Sequence, residues 1–290
     1  MPLDGSAAAK SALPMARLVA QILGATIHVV HATDEPLPEG ELLARMNLSP
    51  EETRGLVLQH VTGRAPEALV QAIDQHDSRL VVMSTWGHTA HPKRLRRPTL
   101  ERILRKARCP VLLVRPEIAS RVAGLTQIRS VALPLNGTPS SAAVIGPAID
   151  LAERSGAEVD VVYVAEAHMP RPQEPGTLTT PRYVDEEYYE WPAWAQEFAD
   201  RFWPFLEEPR PTIPVRVFVR RGEPAAEILR FVGERESDLL VLEWRGRLDP
   251  PHAAVVRRVL VDAPCPVLVL RTTPEGEVPA FRGGRAPRPA

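Results

Sequence analysis

Short, wholly apolar runs alternate along this chain with longer stretches in which apolar residues recur every three or four positions. Runs of the first kind suit strands buried on both faces, and the second spacing lays one apolar stripe along a helix. Their alternation predicts an α/β fold, a parallel sheet covered by helices on both faces. In the second half, Ser130–Leu135 (SVALPL) reads as a buried strand, and Ser140–Ser155 reads as a helix stopped by Gly156. Strands follow at Glu158–Val164 and Val215–Arg220. Pro224 then opens a helix that runs to Arg235, since proline is tolerated in a first turn. Leu239–Glu243 is the next strand, Ala254–Asp262 a helix and Val267–Arg271 the last strand. The first half has the same order, with a helix at Ser11–Leu23 and strands at Thr26–His31, Leu58–Thr62, Leu80–Ser84 and Val111–Arg115.

The order recurs because the sequence recurs. The block from Pro2 to Ala32 returns at Pro134–Val164, a shift of 132 residues. The block opening at Gly63 returns at Gly222, a shift of 159, and CPVLLVR at Cys109 returns as CPVLVLR at Cys265, a shift of 156. Three blocks in the same order mark a duplicated domain. The expected domains are residues 1–118 and 127–273, followed by a Gly-, Arg- and Pro-rich tail at 274–290 that is expected to be disordered.

Two differences between the copies stand out. The strand ahead of Pro134 has no counterpart ahead of Pro2, where only Met1 stands. In a doubly wound sheet that strand is central, so its loss would leave backbone groups unpaired, and residues upstream of Met1 are expected. The second repeat also gains a stretch rich in Pro, Glu and Tyr at His168–Glu190, ahead of an aromatic helix at Trp191–Glu207. Trp194, Phe198, Phe202 and Phe205 form one stripe on that helix, read first as ordinary packing and otherwise as a partner surface within 165–207. The shorter first repeat carries a capping-box signal at Ser49, Pro50 and Glu52 instead.

Bulk properties narrow the function. A chain of 290 residues accommodates two domains with separate cores. A net charge of −1 supplies no global field for nucleic acid or an anionic membrane, so neither is an expected partner. No segment has the roughly 20 apolar residues of a membrane span, and no secretory signal precedes the first helix, so the expected compartment is the cytoplasm. Cys109 and Cys265 hold equivalent positions and are read as small buried hydrophobes, not as a disulfide. His88 and His91 lie three apart without Cys or carboxylate neighbours, and no metal is expected.

The PLDGS segment with its Ala-rich helix, the G-x-P-A-x-x-I turn (Gly222, Pro224, Ala225, Ile228) and the APCPVLVLR ending resemble the universal stress protein family, as a tandem two-domain member. That resemblance implies two flavodoxin-like or Rossmann-like sandwiches, each a parallel five-stranded sheet of order 3-2-1-4-5. The first would lack the start of its first strand. Family members pair through their last strands, which implies an internal pseudo-dimer of the two repeats, with Val111–Val114 beside Val267–Leu270, or a homodimer.

One branch of the family binds ATP through G-x-x-G, nine residues and then G-(S/T), with an Asp after the first strand holding the adenine end. Glycines let backbone N–H groups close on phosphate, and a helix N-terminus favours the anion. Carried onto the first repeat, the pattern gives a tentative nucleotide site of Asp4, Ala32, Gly63, Ser84, Gly87, Arg97 and Thr99. Ser84 replaces the first glycine and Arg97-Pro98 replaces the G-S pair, while Thr99, one residue late, is still able to cap the following helix. Lys93, Arg94, Arg96 and Arg97 form a cationic run there, read as a solvated loop or as side-chain charge that has replaced backbone amides. In the second repeat the counterparts are Asn136, Gly222, Glu243, Gly246 and Ala254, with a carboxylate where phosphate would approach.

No nucleophile, base and orienting group fall into a recognisable set, and G-x-S-x-G is absent around Ser6. A non-enzymatic, stress-responsive binding or regulatory protein is expected, with ATP or another adenine nucleotide as the possible ligand of the first repeat alone. The alternatives are a scaffold that binds no nucleotide and, more distantly, a weak ATPase.

Overall fold

The computed structural model describes residues 1–38, 40–85, 98–165, 211–246, 253–272 and 278. The aromatic insertion, the cationic loop and the tail lie outside the described residues. Contacts divide the chain into two units, one of Met1–Leu125 with Leu268–Arg271 and one of Thr126–Val267 with Thr272. Both are built of parallel strands and helices, the α/β architecture that the alternating pattern predicts.

In the first unit, α1 (Ala7–Lys10) and α2 (Leu13–Leu23) precede β1 (Ile27–Thr33). After α3 (Leu42–Met46) come β2 (Leu56–Thr62), α4 (Ala65–Gln75), β3 (Val81–Ser84), α5 (Pro98–Lys106), β4 (Val111–Val114) and α6 (Ala119–Ala123). β1 pairs with β2 from Ile27↔Leu56 to Thr33↔Thr62, and β3 pairs with β4 from Val81↔Val111 to Ser84↔Val114. Leu3, Ala9, Val29 and Met46 form one buried cluster of this unit, with α3 supplying Met46 from the loop that replaces the insertion.

The second unit follows with β5 (Ser130–Leu135), α7 (Pro139–Ala142), α8 (Ile145–Ser155), β6 (Glu158–Ala165), β7 (Val215–Arg221), α9 (Pro224–Glu234), β8 (Leu239–Trp244) and α10 (Ala254–Asp262), and the last strand, β9 (Val267–Arg271), is grouped from Leu268 on with the first unit. Here β5 is central, paired in parallel with β6 on one side and with β8 on the other, while β6 also pairs with β7. Leu240 N–H donates to the Pro266 carbonyl at 3.0 Å and Thr272 N–H to the Trp244 carbonyl at 2.9 Å.

Predicted and observed elements differ most in the first helix of each repeat. Ser11–Leu23 is helical only from Leu13, and Ser140–Ser155 is two helices, broken between Ala142 and Ile145. Pro14 and Pro147 explain both breaks. Neither can donate to the carbonyl four residues back, so helix cannot continue through Lys10–Pro14 or Ala143–Pro147. The capping-box signal is real, with Ser49 N–H donating to Glu52 Oε2 at 2.7 Å and Glu52 N–H to Ser49 Oγ at 3.2 Å. It closes a turn and not a helix.

Cys109 and Cys265 are buried and not joined in a disulfide, and burial pushes the Cys109 thiol up to about 12. No helix among the described residues is long and apolar enough to cross a membrane.

Candidate functional site

Of the sequence-predicted residues, Asp4, Ala32, Gly63 and Ser84 lie at the carboxyl ends of the parallel strands, the edge at which open α/β sheets bind their ligands. Asp4 follows the residues paired with β1, Ala32 lies near the end of β1, Gly63 follows β2, and Ser84 ends β3. α1 packs against β3, which brings the Asp4 turn to the strand that carries Ser84. Gly87 and Arg97 lie outside the described residues.

Asp4 is exposed, but its carboxylate has a structural task. Oδ1 accepts from Ser6 N–H at 3.0 Å and from Ser6 Oγ at 2.6 Å, while Ser6 Oγ accepts from Ala9 N–H at 3.0 Å. This Asx turn and N-cap supply acceptors to the first N–H groups of α1. The second repeat builds the same turn with an amide. Asn136 Oδ1 accepts from Thr138 N–H at 3.0 Å and Thr138 Oγ1 at 2.7 Å, and Thr138 Oγ1 accepts from Ser141 N–H at 3.1 Å. Exchange of Asp for Asn between the repeats therefore keeps the turn and removes the charge.

Between these paired residues stands Gly5, at φ +84°. A Cβ there would overlap the Arg45 carbonyl oxygen at the end of α3. Glycine is required on both counts, and the contact locks α3 onto the turn.

Farther along the edge, Gly63 takes φ +128° and donates its N–H to the Thr33 carbonyl at 2.7 Å. Thr33 Oγ1 lies 2.6 Å from His60 Nε2, a polar pair beside Ala32. The corresponding residues of the second repeat, Ala165 and Val219, are apolar and pack together in a buried cluster. Sequence reasoning passed over Thr33 and His60, although their replacement by Ala and Val between the copies was readable. Ser84 is buried at the end of β3, and Thr99 lies in the first turn of α5. Thr99 is thus inside the helix and not at its cap. Pro98 already opens α5, because its missing N–H and fixed φ fit a first helical position.

The equivalent edge of the second repeat is bridged by its own side chains. Glu243 Oε1 receives Arg245 Nε at 2.8 Å and Thr272 Oγ1 at 3.0 Å, and Arg245 Nη2 reaches Thr138 Oγ1 at 2.9 Å. The result is an unbroken chain, Thr272–Glu243–Arg245–Thr138–Asn136, across the strand ends. The Glu243 carboxylate therefore comes with its own cation. Arg245 stands where the first repeat has Trp86, and the signal overlooked was a Glu and an Arg two residues apart.

Two further features mark the edge of the second repeat. At Gly222, φ +147°, a Cβ would meet Glu227 Cγ at 2.9 Å, so this carboxylate side chain is packed against the glycine turn. Gly246 takes φ +81°, and Ala254, exposed at the start of α10, follows Ala253 with no side-chain cap. Among the described residues no group of three or more His, Cys, Asp or Glu could hold a metal ion.

Comparison with known proteins agrees with the duplicated architecture. The profile of the Universal stress protein family matches residues 1–115 and again 127–271. A universal stress protein from Thermus aquaticus is 35% identical over 132 residues, an alignment covering 39% of this chain and 93% of that protein. Among solved structures, a universal stress protein from Archaeoglobus fulgidus superposes with a TM-score of 0.58 at 14% identity, covering 92% of this chain and 96% of its own. A functionally unknown protein from Pseudomonas aeruginosa gives 0.63 at 16% identity, covering 93% and 90%.

Proposed function

The chain belongs to the universal stress protein family, and on that premise we propose a stress-responsive binding protein whose first repeat takes an adenine nucleotide while its second does not. The observation that supports this most is the asymmetry of the two strand edges. The second is bridged from Thr272 to Asn136 by hydrogen-bonded side chains with its carboxylate already paired. The first keeps a charged Asp4 at the head of α1, a polar Thr33–His60 pair, and Gly63. In this reading Asp4 faces the ribose or base, and residues after Ser84 meet the phosphates.

A thermal-shift screen of the full chain against ATP, ADP, AMP and cyclic dinucleotides tests it. A ligand of the folded state alone stabilises by about 2.7 kcal/mol at one hundred times its dissociation constant. The sharpest variant is Asp4→Asn, because Asn136 shows that an amide supports the same turn. The expected result is a nucleotide-dependent rise in melting temperature that Asp4→Asn removes without lowering the ligand-free value. No shift with any nucleotide returns the chain to a scaffold without a ligand. The reading also expects a cytoplasmic protein in which universal-stress-type domains pair. Sedimentation reads one chain mass if the two repeats satisfy one another and twice that if chains associate.

A further inference from the structure

Each repeat has an edge strand, and the two edges are guarded differently. β2 pairs with β1 alone, and β7 pairs with β6 alone. At the shift of 159 that relates Gly63 to Gly222, Leu56–Thr62 of β2 stands where Val215–Arg221 of β7 stands. Three arginines of β7, Arg216, Arg220 and Arg221, thus correspond to Val57, Val61 and Thr62 of β2. Arg216 is paired with Glu158, and Arg220 with Glu234 at 2.6 Å, so the second edge carries the charge that keeps edge strands from pairing. β2, with the sequence LVLQHVT, holds no Asp, Glu, Lys, Arg or Pro.

One bond fixes which backbone groups of β2 point outward. Gly63 N–H donates to the Thr33 carbonyl at 2.7 Å, toward β1. Alternate residues of a parallel strand bond the same neighbour, so Val61, Gln59 and Val57 also turn their backbone groups to β1. Leu56, Leu58, His60 and Thr62 turn theirs to the other side, where no strand lies among the described residues. Both large apolar side chains left exposed among the described residues flank this edge. They are Val57 of β2 itself, 43% exposed, and Leu43 of α3, 48% exposed, on a helix that packs against β2. The turn at Gly55 and the bend at Gly63 close the strand at either end, which leaves the exposed Arg54 and Arg64 outside it.

We infer that the outer edge of β2 is an interface for β2 of a second copy of this chain, antiparallel across a two-fold axis. The strand is its own complement. With Gln59 opposite Gln59, Leu58 pairs with His60 and Leu56 with Thr62, and each outward N–H and C=O from Leu56 to Thr62 finds a partner. Between those bonded pairs Val57 stands opposite Val61, an apolar contact that the axis repeats. The same register in β7 would set Arg216 opposite Arg220, and like charges placed directly opposite resist pairing. A second copy therefore fits the first edge and is refused by the second. Closure about the axis uses the one open edge of each chain, so association stops at a dimer.

Sedimentation equilibrium and hydrogen exchange on the full chain at high micromolar concentration test this, with Val57→Lys and the neutral Val57→Thr alongside. The native chain is expected at twice its own mass, with slow exchange at the Leu58 and His60 amides that quickens on dilution. Val57→Thr should keep that mass. Val57→Lys should return it to one chain and speed exchange at both amides, with its circular dichroism unchanged. A native chain of single mass overturns the inference, whether those amides exchange quickly or are protected by another segment of the same chain. So does a dimer that survives Val57→Lys or leaves both amides in fast exchange, since its contact then lies on another face. Masses above two chains would mean head-to-tail contact of β2 with β7 and would also overturn the two-fold pairing.

Discussion

At the scale of single residues, the account turns on Asp4 and Asn136, two side chains that build one turn with different charge. The turn was not legible in the sequence as a hydrogen-bond pattern, but its ingredients were: Asp-Gly-Ser and Asn-Gly-Thr are both Asx-turn sequences. The Met1 amine leads to a pH prediction. Burial lowers it from 8.0 to about 5, so the unfolded chain binds the additional proton between those values. Stability must then rise with pH from about 5 to 8, with His28 acting in the same direction, its own value lowered by burial first and then by His76 and the amine. Urea unfolding at intervals across that window should show the rise, and Nα-acetylated protein should show less of it. Glu52 behaves oppositely. The Ser49 N–H holds its carboxyl below the usual 4.5, with Lys10 assisting at 3.0 Å, so its contribution is present above that value and is lost as pH falls through the lowered one. Glu52→Ala is expected to cost about 1 kcal/mol, measured by denaturant midpoint at neutral pH.

Secondary-structure elements were read more completely than sites were. β5, α10 and β9 match their predicted limits, and most other elements differ by one or two residues, because strands buried on both faces are nearly pure apolar runs. Proline's effect inside the first helix of each repeat was the local rule that the helical spacing overrode. The same element scale explains Gly5, which sequence alone offers as a turn residue. Its need for glycine comes from α3, an element whose approach no local pattern announces. Gly5→Ala is expected to lower stability by more than about 1 kcal/mol, since a positive φ and the Arg45 carbonyl both oppose a side chain. In the second repeat, the Glu243–Arg245 pair predicts coupling. A double-mutant cycle to alanine should give about 0.5–1 kcal/mol, modest because the Arg245 side chain is half exposed.

For the whole molecule, duplication is the strongest signal in the sequence, and the two copies differ most where their strands end. Where the first copy carries Ser84, the second carries Glu243 in a side-chain bridge. What could not be read beforehand was which substitutions compensate one another, as Arg245 does for Glu243, since that depends on contacts among residues distant in sequence. The central claim is that one repeat of the two binds an adenine nucleotide. Titration calorimetry of the full chain with ATP and ADP tests it most directly. One site per chain, abolished by Asp4→Asn, is the expected result. Two sites per chain, no binding of either nucleotide, or one site indifferent to Asp4→Asn would contradict it.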